Sequence, residues 1–174
     1  IEGRSLFSMK EEVPDKYYFI EIGKAIIRKP GKDITLVSFG SAMPLALEAA
    51  NYLQTINISV EVIDLRTIKP LDIKTIIKSV NKTRNIVVFE PGWKSFSVSS
   101  EIITSISEIM CSKLINNPKR ICWPDSHIPM SEPLEKEASS RRRFCSVTED
   151  LYTPTLFFCE FNMGNFYGAS LFKL

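Results

Sequence analysis

The feature that most constrains this chain is a recurring unit: a short β-branched run, a turn rich in glycine or proline, and then a stretch with helical periodicity. Residues 34–39, Ile34-Thr35-Leu36-Val37-Ser38-Phe39, read as a buried strand that ends at Gly40. Residues 45–53 then place Leu45, Ala46, Ala49, Ala50 and Leu53 on one helical face. Pro44 falls in the first helical turn, where its missing N–H costs nothing, and Ser41 is the expected N-cap. The unit recurs as strand 58–65, loop 66–70 and helix 72–80. It recurs again as strand 86–89, broken by Pro91-Gly92, then helix 97–110, and residues 119–123 supply a last strand. Ahead of the first unit, residues 23–27 read as a strand and Lys29-Pro30-Gly31-Lys32-Asp33 as a turn. Strands alternating with helices over short loops predict an α/β domain of three layers, αβα, around a mostly parallel five-stranded sheet. Its crossovers are expected to be right-handed.

Composition excludes several alternatives. The net charge of +2 gives no reason to expect nucleic-acid binding. No apolar run approaches the roughly 20 residues that a bilayer-spanning helix needs, so no membrane association is expected. Ile1-Glu2-Gly3-Arg4 has neither the basic start nor the apolar core of a signal peptide, and without an initiator Met the sequence is expected to start mid-chain. The cysteines, Cys111, Cys122, Cys145 and Cys159, form no CxxC pair, so reduced thiols in an intracellular protein are the plain reading. With His127 the only histidine, a catalytic triad or a His-rich metal site is nearly excluded.

Ligands and partners of open α/β sheets collect at the carboxyl ends of the strands. The Gly40-Ser41-Ala42-Met43-Pro44 turn has one glycine and no Walker Lys, so a structural strand–helix turn is favoured over a phosphate loop. In the segment 64–72, Asp64 can pair with Arg66 or Lys69, and Asp72 is placed to cap the next helix. That segment reads either as a salt-bridged junction or as a contact surface. Glu90, Trp93 and Phe96 bring a carboxylate and two large aromatics to another strand end, either as an interface or as a core anchor. Asp125 and His127 lie on a Pro-punctuated loop, 124–131, where a lone histidine is more often structural than catalytic. The interface candidates are Arg66, Lys69, Glu90, Trp93, Phe96 and Asp125. No residue is a catalytic, cofactor-binding or metal-binding candidate.

From residue 1 to about residue 137 the chain resembles the β subunit of pyruvate-dehydrogenase-type E1 enzymes, in its C-terminal, transketolase-type domain. The segment from Gly31-Lys32-Asp33-Ile34-Thr35 to Gly40 looks like that family's first buried strand, and Leu47-Glu48-Ala49-Ala50 like its first helix. Val60-Glu61-Val62-Ile63-Asp64-Leu65-Arg66-Thr67-Ile68-Lys69-Pro70-Leu71-Asp72 is the most specific match. Val87-Val88-Phe89-Glu90-Pro91-Gly92-Trp93-Lys94-Ser95-Phe96 continues it, followed by Pro124-Asp125 with Pro129, Ser131, Leu134 and Glu135. The N-terminal Ile1-Glu2-Gly3-Arg4 could be a protease-tag scar, but Glu2, Leu6 and Phe7 also fit the end of the family's preceding domain, which is the preferred reading.

The resemblance implies an α2β2 enzyme that decarboxylates a 2-oxo acid on thiamine diphosphate and Mg²⁺ and passes the acyl group to lipoyl groups of E2. Implied partners are the E1 α subunit, a second β subunit and the E2 acyltransferase subunit-binding domain. The family's cofactor-activating Glu belongs to a pyrimidine-binding domain upstream of Ile1, so the chain alone is expected to bind no cofactor and to be inactive. Residues 1–18 are expected to be a linker from that missing domain, 19–137 the transketolase C-terminal-like domain, and 138–174 a divergent tail. The β–β contact is expected to use the loops 66–70 and 90–96. Trp93 favours the pyruvate type over branched-chain or acetoin relatives. The location is expected to be the bacterial cytoplasm, with the mitochondrial matrix as the alternative. Two other readings stay open: the same domain from a transketolase or deoxyxylulose-phosphate synthase, and a free-standing α/β binding module.

There are departures from the family pattern. Ser97 and Ser99 stand where many relatives have glycine, and Asn116 and Asn117 where some carry an acidic residue. After Glu137 the family's aromatic-Pro segment and terminal helix give way to Arg141-Arg142-Arg143 and a tail rich in Phe, Asn and Gly, expected not to be helical.

Overall fold

Strands buried at every position, and so on both faces, dictate the layering. In the computed structural model, which describes residues 6, 7, 9, 10, 12–123, 125–127, 129–131, 133 and 134, five strands form one sheet in the order β1-β3-β2-β4-β5. Strand β2 (Ile34–Ser38) is central and runs parallel to β3 (Val60–Asp64) and β4 (Ile86–Trp93). Strand β5 (Lys119–Trp123) is parallel to β4, while β1 (Ile26–Lys29) closes the other edge antiparallel to β3. The mostly parallel, five-stranded expectation therefore holds.

Two apolar layers sandwich the sheet. On one face Ile34, Leu36, Val60, Val62, Val87 and Phe89 pack under helix α1 (Met43–Thr55), through Met43, Ala46, Ala50 and Leu53. On the other, Val37, Ile63, Ile86 and Val88 meet α2 (Ile73–Thr83) and α3 (Val98–Met110), through Ile76, Val80, Ile102, Ile106 and Met110. Each fully buried aliphatic side chain stabilises the fold by about 1.5–3 kcal/mol relative to exposure.

Polar groups inside that second layer are all satisfied. Thr35 Oγ1 lies 2.7 Å from Ser79 Oγ and 2.7 Å from Thr83 Oγ1. The buried Glu61 accepts from Lys82 Nζ and from the Gly31 N–H. Among the described residues no buried side-chain nitrogen or oxygen lacks a partner, as expected where an unpaired polar group costs about 1–3 kcal/mol.

Several local expectations are corrected. The first strand is Ile26–Lys29, not 23–27. Gly23 turns with φ +78°, and its N–H is taken by Thr67 Oγ1 at 3.0 Å, so the 66–70 loop holds it off the sheet. Ser41 is not the N-cap of α1: residues Gly40–Ala42 form a 3-10 turn, and Ala42 precedes the helix with no side-chain cap. Pro91-Gly92 does not break β4, which absorbs the pair as a register shift and resumes with Trp93 opposite Trp123. Asp72 does cap α2, accepting from the Thr75 N–H, and Ser97 is found capping α3, accepting from the Ser100 N–H. The boundary at residue 137 and the tail 138–174 lie outside the described residues. No helix among the described residues is long and apolar enough to cross a membrane.

Candidate functional site

The strand order reverses at β2, because the chain steps from β2 to β3 on one side and then returns to β4 on the other. Carboxyl-end loops on the two sides of that reversal carry the six candidate residues. The structure draws Trp93, Phe96 and Asp125 together, holds Glu90 beneath them, and leaves Arg66 and Lys69 on a separate loop.

The 90–96 loop is built from below. Glu90 is only 7% exposed, and its carboxylate accepts from the N–H groups of Val98 at 3.2 Å and Ser99 at 2.8 Å. A carboxylate belongs there, since the first turn of a helix presents unpaired N–H groups and positive potential. The same contact fills the place where α3 could have received a phosphate. Glu90 therefore faces inward as an anchor of the loop. The sequence marks this arrangement only faintly, through the small polar helix start Ser97-Val98-Ser99.

Above Glu90, Asp125 accepts from Ser95 N at 3.0 Å and Ser95 Oγ at 2.7 Å, which joins the end of β4 to the loop after β5. Those two bonds, the hydroxyl's first, hold its carboxyl below the usual carboxylate range. Trp93 Nε1 donates to Ser126 O at 3.1 Å, and its ring meets the His127 ring edge-on at 6.2 Å between centroids. Trp93 remains 52% exposed, and Phe96 is fully exposed at φ +53°. Positive φ is a strained conformation for a bulky side chain. Arg120 Nη1 reaches Lys94 O at 3.1 Å, Ser97 Oγ at 3.4 Å and Ser100 Oγ.

The 66–70 loop has its own supports. Asp64 is paired with Arg28 of β1, at 3.2 Å, and not with the side chain of Arg66 or Lys69. The expectation missed this pairing because Arg28 becomes a neighbour only through the antiparallel β1–β3 register. Arg66, at φ +57°, gives its N–H to Asp64 Oδ1 and its Nε to Lys24 O. The Lys69–Pro70 bond is cis, and Lys69 is exposed. Asp72 accepts from the Ala25 and Thr75 N–H groups and from Thr75 Oγ1; burial pushes its carboxyl up, but these bonds and the Lys24 charge outweigh it and leave the pKa lowered.

Among the described residues no group of three or more His, Cys, Asp or Glu is placed to hold a metal ion. The first turns of α2 and α3 are taken by Asp72 and by Glu90 with Ser97. Neither of these two helix starts is open to a diphosphate. What the chain does offer is surface: Trp93, Phe96 and the apolar run Tyr17, Phe19, Ile20 and Ile22 are each more than half exposed.

The transketolase C-terminal domain family matches residues 23–141. The pyruvate dehydrogenase E1 component subunit beta of Rhizobium meliloti is 42% identical over 139 residues, which is 79% of this chain and 30% of that protein. The mitochondrial pyruvate dehydrogenase E1 component subunit beta of Dictyostelium discoideum is 38% identical over 132 residues, 76% of this chain and 37% of that protein. The Bacillus subtilis subunit is 36% identical over 125 residues, 72% and 38%. Among solved structures, a split gene transketolase described as an inactive β4 tetramer superposes with a TM-score of 0.65 at 26% identity, covering 80% of this chain and 46% of that one. The chain thus spans well under half the length of these curated relatives.

Proposed function

The chain belongs to the transketolase C-terminal domain family, and from that premise we propose that it serves as the assembly portion of the β subunit of a thiamine-diphosphate-dependent 2-oxo-acid dehydrogenase E1 of the pyruvate type. The observation that carries this reading is the uncovered apolar surface. Tyr17 is 95% exposed, and Phe19 and Ile22 are each more than three-quarters exposed. They run into the edge strand β1, whose Ile26 and Ile27 are also exposed. An apolar stretch beside an open strand edge is what a sheet presents to a partner. With Trp93 and Phe96 at the strand ends, the chain has aromatic anchors of the kind that dominate interfaces.

The partners proposed are an E1 α subunit, a second β subunit and the E2 acyltransferase subunit-binding domain. The second β subunit meets Trp93 and the loop 66–70, where Arg66 and Lys69 supply a polar rim. Thiamine diphosphate and Mg²⁺ act in the assembled enzyme, where they supply the decarboxylation chemistry. This chain's residues position the loops and cover apolar surface. The linker 1–18, the domain 19–137 and the distinct tail 138–174 remain the proposed division. Relatives from bacteria and from a mitochondrion support the bacterial cytoplasm as the location, with the mitochondrial matrix as the alternative.

The cofactor part of the proposal is tested by titrating the full chain with thiamine diphosphate and Mg²⁺ in a calorimeter. No binding heat is expected, since the two helix starts described above are occupied by carboxylates. Micromolar affinity for the cofactor would sink the reading that this chain carries no cofactor seat.

A further inference from the structure

Lys94 and Arg120 share one open depression of about 330 Å³, walled also by Ser95, Phe96, Ser100 and Asp125. Neither cation forms an ion pair with a carboxylate among the described residues. The two acids nearby are already hydrogen-bonded: Asp125 by both donors of Ser95, with the Lys94 charge acting on it more weakly, and Glu90 by the N–H groups of α3. Arg120 is held in place through Nη1, by Lys94 O, Ser97 Oγ and Ser100 Oγ. Arg120 lines the depression, and among the described residues all of its hydrogen bonds run through Nη1, which leaves donors of the guanidinium fork for a ligand. Phe96 stands on the rim with its side chain in solvent and its backbone at φ +53°. Strain of that kind persists where the surroundings fix it, and it gathers at sites of recognition.

We propose that this depression receives a carboxylate side chain of an acidic partner polypeptide, clamped between Lys94 and Arg120, with a large apolar neighbour of that carboxylate packed on Phe96. This rests on the assembly reading and names the chemistry of one partner at the 90–96 loop. A second copy of this chain, proposed at the neighbouring Trp93, does not fill the depression itself: a two-fold axis through it would set Lys94 and Arg120 against their own counterparts, since such contacts pair the same patch with itself. Like charges brought face to face disfavour that arrangement. Direct carboxylate recognition also explains why Lys94, from the exit of β4, and Arg120, from β5, come together beside acids that are already hydrogen-bonded.

The test titrates the full chain with a blocked hexapeptide, Gly-Leu-Asp-Phe-Glu-Gly, and with its Asn/Gln counterpart, following heat or the fluorescence of the tryptophans. Acetate and inorganic phosphate are run as free anions. The acidic peptide is expected to bind more tightly than the neutral one and than either free anion, and to weaken as salt rises. Lys94→Gln and Arg120→Gln are each expected to weaken it about fivefold or more, the loss of one charge-assisted contact. Arg120→Gln also loosens α3, so Lys94→Gln, on an exposed loop, is the variant that keeps the fold. Phe96→Gly is expected to weaken binding while raising the urea midpoint, because glycine is at ease at positive φ. Equal binding of the neutral peptide, equal binding of free acetate or phosphate, no binding at all, or an affinity that Lys94→Gln leaves unchanged would each overturn the proposal. Self-association measured on the same samples reports the broader assembly reading separately.

Discussion

Gly31→Ala is expected to cost about 3 kcal/mol or more, enough to remove much of the stability of a domain of this size. A Cβ at Gly31 would lie 2.2 Å from Glu61 N, 2.2 Å from Val60 C and 2.6 Å from Val60 O. All three atoms are backbone of β3, an inner strand clamped between β1 and β2, so none can swing aside as a side chain could. Moving the turn instead would break the Gly31 N–H bond to Glu61. It would also disturb the exchange in which the Lys32 and Asp33 N–H groups donate to Ser59 O while Asp33 accepts from the Ser59 N–H. Glycine is required here for its lack of a side chain. Urea denaturation checks the claim, and a midpoint within error of the parent chain would refute the packing described.

The second large effect concerns Glu61, which is 2% exposed inside the α2 layer. Burial is the largest influence on its carboxyl and pushes the pKa up. The bonds from Lys82, Ser79 and the Gly31 N–H, together with the Lys82 charge, outweigh burial and leave the pKa below the ordinary value. Lys82→Met removes two of those supports and leaves the carboxylate buried without its cation. Breaking a fully buried pair costs about 3–5 kcal/mol. The Lys82 side chain is 48% exposed, so solvent screening brings the expected loss to about 2 kcal/mol at neutral pH.

The pH dependence carries a sign. In the parent chain a lowered carboxyl pKa adds stability that is present above the unfolded value and fades as pH falls through the folded one. In Lys82→Met two of the lowering influences are gone, so that pKa rises from its parent value and less stability is lost as pH falls. The stability gap between the two chains should therefore narrow in acid. A gap that stays constant from neutral pH down through the carboxylate range would show that Lys82 and Glu61 are not coupled.

The strand–helix alternation was legible because buried strands and amphipathic helices write different periods into the chain. The capping role of Asp72 was legible locally too, from an acidic residue at the start of a helical period. Features that depend on which strands become neighbours were not. Arg28 meets Asp64, and Ser95 meets Asp125, only after the order β1-β3-β2-β4-β5 is set. Glu61 hides in a run of β-branched residues, and nothing local shows that Lys82 lies over it. At the candidate surface, the aromatics Trp93 and Phe96 announced themselves by type, whereas the inward turn of Glu90 required knowing where α3 begins. The pairing of Lys94 with Arg120 brings together residues from β4's exit loop and from β5, and no spacing along the chain marks it.

The central claim is that this chain works by association, through strand-end aromatics and uncovered apolar surface. Sedimentation equilibrium on the full chain and on Trp93→Ala tests it most directly. The parent chain is expected to self-associate with rising concentration. Trp93→Ala, which removes an aromatic anchor that is half exposed, is expected to weaken that association about tenfold, or roughly 1.4 kcal/mol. A single species of 19.8 kDa at every concentration, or an association constant that the substitution leaves unchanged, would contradict it.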